Sequence, residues 1–173
     1  MEKLQLAQRS QAKGGGGMSR DEYPKTVLEV LDDRVTFDPK ALKAVRRFAA
    51  SRPWSGLLLA RTAKFRQFNY ELSIAYRMHK PELILEHLDG TSSGNSHYIP
   101  SCHRIVLVGK LSVVTYLHEF GHARGMNERG ACRWSINLFR KTFPRQYARL
   151  QSQGHMLISP ARTAGETQTG EAL

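Results

Sequence analysis

Apolar and polar positions follow two different periods along this chain. Leu42, Val45, Phe48 and Ala49 recur at helical spacing, while Lys40, Lys43, Arg46 and Arg47 take the other positions. Asp38 is a suitable N-cap, Pro39 suits the first helical position, and Pro53 ends the run. A second, short helix is expected over residues 54–63. The period then shortens to two. Phe68, Tyr70, Leu72, Ile74 and Tyr76 alternate with Asn69, Glu71, Ser73 and Ala75, which reads as a half-buried strand. After a turn at His79, Lys80 and Pro81, a second strand is expected over 82–88 and a loop over 89–96. Residues 97–108 form a third extended stretch, in which Pro100 marks an edge or a bulge and Arg104–Val108 is the buried part. Gly109 closes it. Helices are expected over 111–124 and about 127–142, with a last helical piece after Pro144. This order describes an α+β domain: a small mixed sheet of about three strands packed on helices.

Residues 1–21 include four consecutive glycines, and residues 159–173 are rich in Ala, Thr, Gly and Glu. Both are expected to be disordered tails around one folded domain over 22–158. A length of 173 residues leaves room for one ordinary domain, and 40% hydrophobic residues can fill its core. No apolar run approaches the roughly 20 residues of a membrane span, and no secretory leader is readable. Two cysteines, Cys102 and Cys132, cannot make a disulfide framework. The expectation is a soluble, cytoplasmic domain with no membrane partner; its oligomeric state leaves no signal.

Charge adds a further constraint. Lys and Arg number 26 against 15 acids, a formal charge of +11. Eight basic residues and no acid lie between Lys40 and Arg66, and seven basic residues accompany Glu128 alone between Arg124 and Arg149. Cationic helices of this kind suit nucleic-acid phosphates or acidic peptide segments. No zinc-finger spacing or aromatic-basic RNA motif accompanies them.

The residues that carry chemistry lie in the helix expected over 111–124. His118-Glu119-Phe120-Gly121-His122 is an H-E-x-x-H sequence. Residues four apart on a helix share a face, so both imidazoles can converge on one metal ion. Glu119 is rotated by about 100° from His118, which sets its carboxylate beside the metal, where it can take a proton from a water on the ion. The composition makes a chance match of this pattern on the order of 0.02. Val113, Val114 and Leu117 supply the apolar face that seats the helix, and Gly121 permits close packing. A third ligand is expected. Glu128 is the first candidate, six positions after His122 and beyond Gly125, which can take a positive φ, end the helix and return the chain beneath the metal. Glu128 also suits the first turn of the next helix. His155 is the main alternative, followed by His97, His103 and Cys132.

His118 to Glu128 reads H-E-x-x-H-x-x-G-x-x-E, and this stretch resembles the zincin metallopeptidases. The extended motif is similar to that of the metzincins, with Glu128 where most carry His or Asp. The layout, with a buried strand such as Arg104–Val108 leading into the motif helix, is similar to the compact ImmA/IrrE-like and mini-gluzincin peptidases. The resemblance covers about residues 65–140. It implies a zinc-dependent peptidase: Zn2+ on His118, His122 and Glu128, Glu119 as general base, and a protein or peptide substrate. It also implies that an edge strand beside the motif helix pairs with substrate backbone, and that Tyr98 or His97 is placed to hydrogen-bond an oxyanion. The reading from a different class is a basic nucleic-acid-binding protein whose metal site is structural or inactive. Trp134, Leu138 and Phe139 are expected in the core, and Cys132 as a small buried apolar residue.

Overall fold

The structure is a computed structural model that describes residues 23–86, 95–109 and 111–158. The two expected tails and most of the 89–96 loop lie outside the described residues. Asp38 caps the first helix: its carboxylate accepts hydrogen bonds from the Lys40 and Ala41 backbone N–H groups at 2.7 and 3.3 Å. Helix α1 runs Pro39–Ala50 and buries Ala41, Ala44, Val45 and Phe48.

The alternation at residues 68–76 is not a strand. One continuous helix, α2, runs Leu58–Ala75 and replaces both the short helix and the strand. No Gly or Pro interrupts residues 57–80. Phe65, Phe68 and Leu72 face inward at helical spacing, while Leu59, Tyr70 and Ile74 face solvent. Two apolar stripes, each of period 3.6, superpose over 68–76 and imitate a period of two. Tertiary packing selects the helix: Phe68 stacks on Phe48 of α1 at 4.1 Å, and Phe65 meets the same ring edge-on at 5.0 Å.

The three-stranded sheet survives with a different membership. Residues 97–108 break into two strands at a 3-10 turn, Pro100–Cys102, followed by His103 with φ 49°. Strand β1 is Glu82–Glu86, β2 is His97–Ile99 and β3 is Arg104–Val108. The sheet order is β1-β3-β2; β1 runs parallel to β3 with Leu83 opposite Ile105, and β2 runs antiparallel with Tyr98 opposite Ile105. The domain is therefore α+β with a small mixed sheet.

Helix α3, Val113–Ala123, follows β3, and α4, Glu128–Thr142, follows α3. Ser112 caps α3 through the Thr115 N–H, and Asn127 caps α4 through the Gly130 N–H. Tyr116, Leu117 and Phe120 of α3 pack with Trp134, Leu138 and Phe139 of α4, Ile105 and Leu107 of β3, and the inner face of α2. Buried Asn69 ties α2 to its neighbours: its amide donates to the Pro81 carbonyl at 2.8 Å, and its oxygen accepts from the Tyr116 hydroxyl at 3.0 Å. Gly121 permits the close approach of α3 and α4, since a Cβ there would lie 3.1 Å from the Cβ of Ala131.

The helical piece after Pro144 is α5, Pro144–Tyr147. A hairpin of β4, Gln151–Gln153, and β5, Met156–Ile158, follows it and was not expected. Its turn residue Gly154 accepts a hydrogen bond from the Val27 N–H at 3.0 Å. Residues 23–33 are fastened onto α4. Val27 and Val30 pack on Cys132 and Ile136, and Asn137 exchanges hydrogen bonds with the Val30 carbonyl and the Asp32 N–H at 2.7 and 2.9 Å. No helix among the described residues is long and apolar enough to cross a membrane.

Candidate metal centre

The end of α3 builds the site. Arg124 is its C-cap, and Gly125 follows with φ 82°. The Gly125 N–H donates to the His122 carbonyl at 2.8 Å, and the Met126 N–H donates to the Gly121 carbonyl at 3.1 Å. These two bonds are the paired closure of a Schellman motif, which only the left-handed Gly125 makes cheap. The reversal does two things. It starts α4 at Glu128, directly facing α3, and it brings the Met126 carbonyl to the His122 ring.

That carbonyl lies 3.0 Å from His122 Nδ1. A carbonyl only accepts, so Nδ1 carries the hydrogen, and in the neutral ring Nε2 presents a lone pair. His122 Nε2 lies 3.1 Å from His118 Nε2 and 3.1 Å from one oxygen of Glu128; His118 Nε2 lies 3.0 Å from the other oxygen. Two imidazole nitrogens and the two oxygens of one carboxylate thus face one another, and one ligand atom from each residue lies within 4.8 Å of the other two. A tetrahedral zinc ion with bonds near 2.0–2.1 Å sets its ligand atoms about 3.3 Å apart, close to the 3.1 Å between the two Nε2 atoms and the 3.0 and 3.1 Å from each to its nearer Glu128 oxygen. Nitrogen, nitrogen and oxygen is a usual donor set for such an ion, and the Met126 carbonyl is the outer hydrogen bond that fixes a ligand histidine. Among the described residues these three form the only group of three or more His, Cys, Asp or Glu side chains able to hold a metal ion.

Electrostatics match the geometry. Burial alone would raise the Glu128 carboxyl. The hydrogen bonds and charges of His118 and His122 together outweigh it and hold the group far below the ordinary carboxylate range. The same contact with Glu128 raises His122. Glu119, also buried, behaves oppositely: burial raises its pKa, against the pull of the two histidines and of the Tyr98 backbone N–H. Two neighbouring carboxylates are therefore pushed apart, one firmly ionised and one more basic, the pattern that separates a ligand from a proton acceptor.

The other candidates are placed elsewhere. His97 is exposed, with Nδ1 3.0 Å from the Asn95 carbonyl. His103 lies between the His79 carbonyl, 2.8 Å from Nε2, and the Tyr98 hydroxyl, 2.7 Å from Nδ1. The hydroxyl of Tyr98 is thus engaged with His103. His155 packs against Tyr23, ring centroids 5.3 Å apart, and is not in the three-residue group. Cys132 is buried among Val27, Val30 and Ile136, and its sulfur also lies 3.7 Å from both His118 Nδ1 and Glu128 Oε1. Burial, then the charge of Glu128, pushes its thiol up to about 12, so it flanks the histidine as a neutral group.

Two contributors have no sequence signal. The Tyr98 backbone, on β2 at the edge of the sheet, is near enough to Glu119 to pull its carboxyl down. Tyr23, about a hundred residues upstream, lies within electrostatic reach, since the charge of Glu128 is the main cause that raises its phenol.

The cations of α4 are largely spoken for. Arg133 pairs with Asp32, Arg140 with Asp33 at 2.6 Å and Arg129 with Glu29 at 3.7 Å. Arg124, the C-cap of α3, lies over the Tyr76 ring at 3.6 Å and the Trp134 ring at 4.8 Å. The three arginines of α4 are thus each paired with an acid of residues 23–33. Comparison with protein-family models, with curated proteins and with solved structures finds no match for the chain.

Proposed function

We propose that the chain is a zinc-dependent peptidase of the zincin type. The observation that carries this reading is the convergence of His118 and His122 Nε2, 3.1 Å apart, on the two oxygens of Glu128 at 3.0 and 3.1 Å, with buried Glu119 adjacent in sequence to His118. His118, His122 and Glu128 hold the ion, which supplies Lewis acidity, lowering the pKa of water and polarising a carbonyl. Glu119 takes the proton of the attacking water and passes it to the leaving amine; its burial raises its basicity for that task. Edge strand β2 lies beside α3, and its free edge offers backbone groups for an extended peptide.

The test is paired. Purified protein should carry close to one zinc per chain, and unfolded casein should be cleaved. Glu119→Gln should keep the metal and lose roughly 10²–10⁴-fold in rate. Full activity in Glu119→Gln would remove the mechanism, and a wild type that neither carries nor takes up zinc would remove the site.

A further inference from the structure

Helix α2 has a second apolar face that nothing in the described structure covers. Leu59 is 79% exposed, Ile74 57% and Tyr70 50%. At 100° per residue these three, with exposed Ala63, fall within about 60° of one another and nearly opposite the buried Phe65, Phe68 and Leu72. The stripe continues at its N-terminal end into Leu57, 82% exposed, and Trp54, 41% exposed. Such a surface is on the order of several hundred Å², at or above the largest apolar patch of most monomers.

Its electrostatic setting is one-sided. Residues 39–81 hold ten Lys or Arg and a single acid, Glu71. That acid is turned away from the stripe: it accepts from Arg47 of α1 at 3.2 Å and from Gln67 at 3.0 Å, and it is only 16% exposed. Arg66 lies on the stripe itself, Lys80 lines the same hollow as Arg66, and exposed Arg52 and Arg77 stand before and after the helix.

We infer, against the expectation of no membrane partner, that this face of α2 is a peripheral docking surface for an anionic lipid bilayer. The apolar side chains enter the acyl boundary and the surrounding cations meet acidic headgroups, the arrangement of an interfacial amphipathic helix. A second copy of the chain fits less well, because self-association would bring Arg66 and its neighbouring cations against themselves. A nucleic acid would satisfy the cations and leave Leu59, Tyr70 and Ile74 in water. The inference is independent of the metal centre.

The experiment is flotation of the full chain with vesicles of phosphatidylcholine alone or with about 30 mol % phosphatidylserine. Binding is expected to the mixed vesicles at least about tenfold more tightly than to the neutral ones, weakening as salt rises. Leu59→Gln with Ile74→Gln should lower it at least about tenfold, with an unchanged melting temperature because both side chains are exposed. Leu28→Gln, equally exposed on another element, should bind like wild type, and so should Glu119→Gln. Arg66→Gln should weaken only the binding to acidic vesicles. Equal binding by wild type and the double variant would overturn the inference. So would a wild-type dimer that the double variant dissolves with no vesicle binding, or binding that appears only after residues 1–20 are removed.

Discussion

Glu128→Gln keeps the shape of a buried side chain and removes one charge. In the wild type its two oxygens stand 3.0 and 3.1 Å from the two imidazole Nε2 atoms. A glutamine there offers one neutral oxygen and one NH2 group, which cannot serve as an anionic ligand. Structural zinc sites bind with apparent free energies of about 10–16 kcal/mol, so one of three protein ligands is worth roughly 3–5 kcal/mol. That is a loss of at least about a hundredfold in Kd. By linkage, a hundredfold weaker site forgoes up to about 2.7 kcal/mol of zinc-induced stabilisation. For a folded region of this size, the zinc-induced rise in Tm should shrink by roughly 5–10 °C. Without metal the variant should cost only about 1–2 kcal/mol, because the raised His122 can shed its proton once the carboxylate is gone. Chelator competition gives the Kd, and thermal melts with and without zinc give the linkage. A variant that binds zinc as tightly as wild type would refute the ligand assignment of Glu128.

Two further outcomes follow from the same contacts. In the metal-free protein the raised His122 stabilises fully below its unfolded pKa of about 6.5 and loses that contribution as pH rises through its folded value, while the lowered Glu128 stabilises above about pH 4.3. Chelated protein should therefore melt highest near pH 5–6 and lower at pH 8, and excess zinc, which needs neutral imidazoles, should reverse the trend; a flat profile in chelator would count against the His122–Glu128 pair. Gly121→Ala sets a Cβ 3.1 Å from Ala131 Cβ and 3.2 Å from its Cα, so α3 and α4 must separate. Overpacking should cost about 1–2 kcal/mol even after the gain in helix propensity, with weaker zinc binding because His122 and Glu128 lie on the two separated helices; an unchanged melt would show that the helices yield freely.

What the sequence determined by itself was local. Asp38 before Pro39 fixes the start of α1, Gly125 fixes the reversal after α3, and H-E-x-x-H sets two imidazoles on one helical face, because capping, positive φ and the 3.6 period act within a few residues. Glu128 was legible as a candidate for the same reason, since a tight reversal leaves little choice of where six residues can reach. Glu128 does open α4 as an acid of its first turn and lies 3.0 and 3.1 Å from the two imidazoles, where the expected ligand would stand. What tertiary structure decided involved partners distant in sequence. Residues 68–76 carry an alternation that a strand would satisfy alone, and only the stacking of Phe48 on Phe68 makes them a helix with one apolar stripe turned outward. The same holds for the three arginines of α4: their composition reads as a free cationic face until the fold lays Glu29, Asp32 and Asp33 across them. Tyr23 and the Tyr98 backbone reach the site through chain packing alone. Ion pairs, buried faces and site electrostatics depend on which surfaces meet, and periodicity reports only that a surface exists.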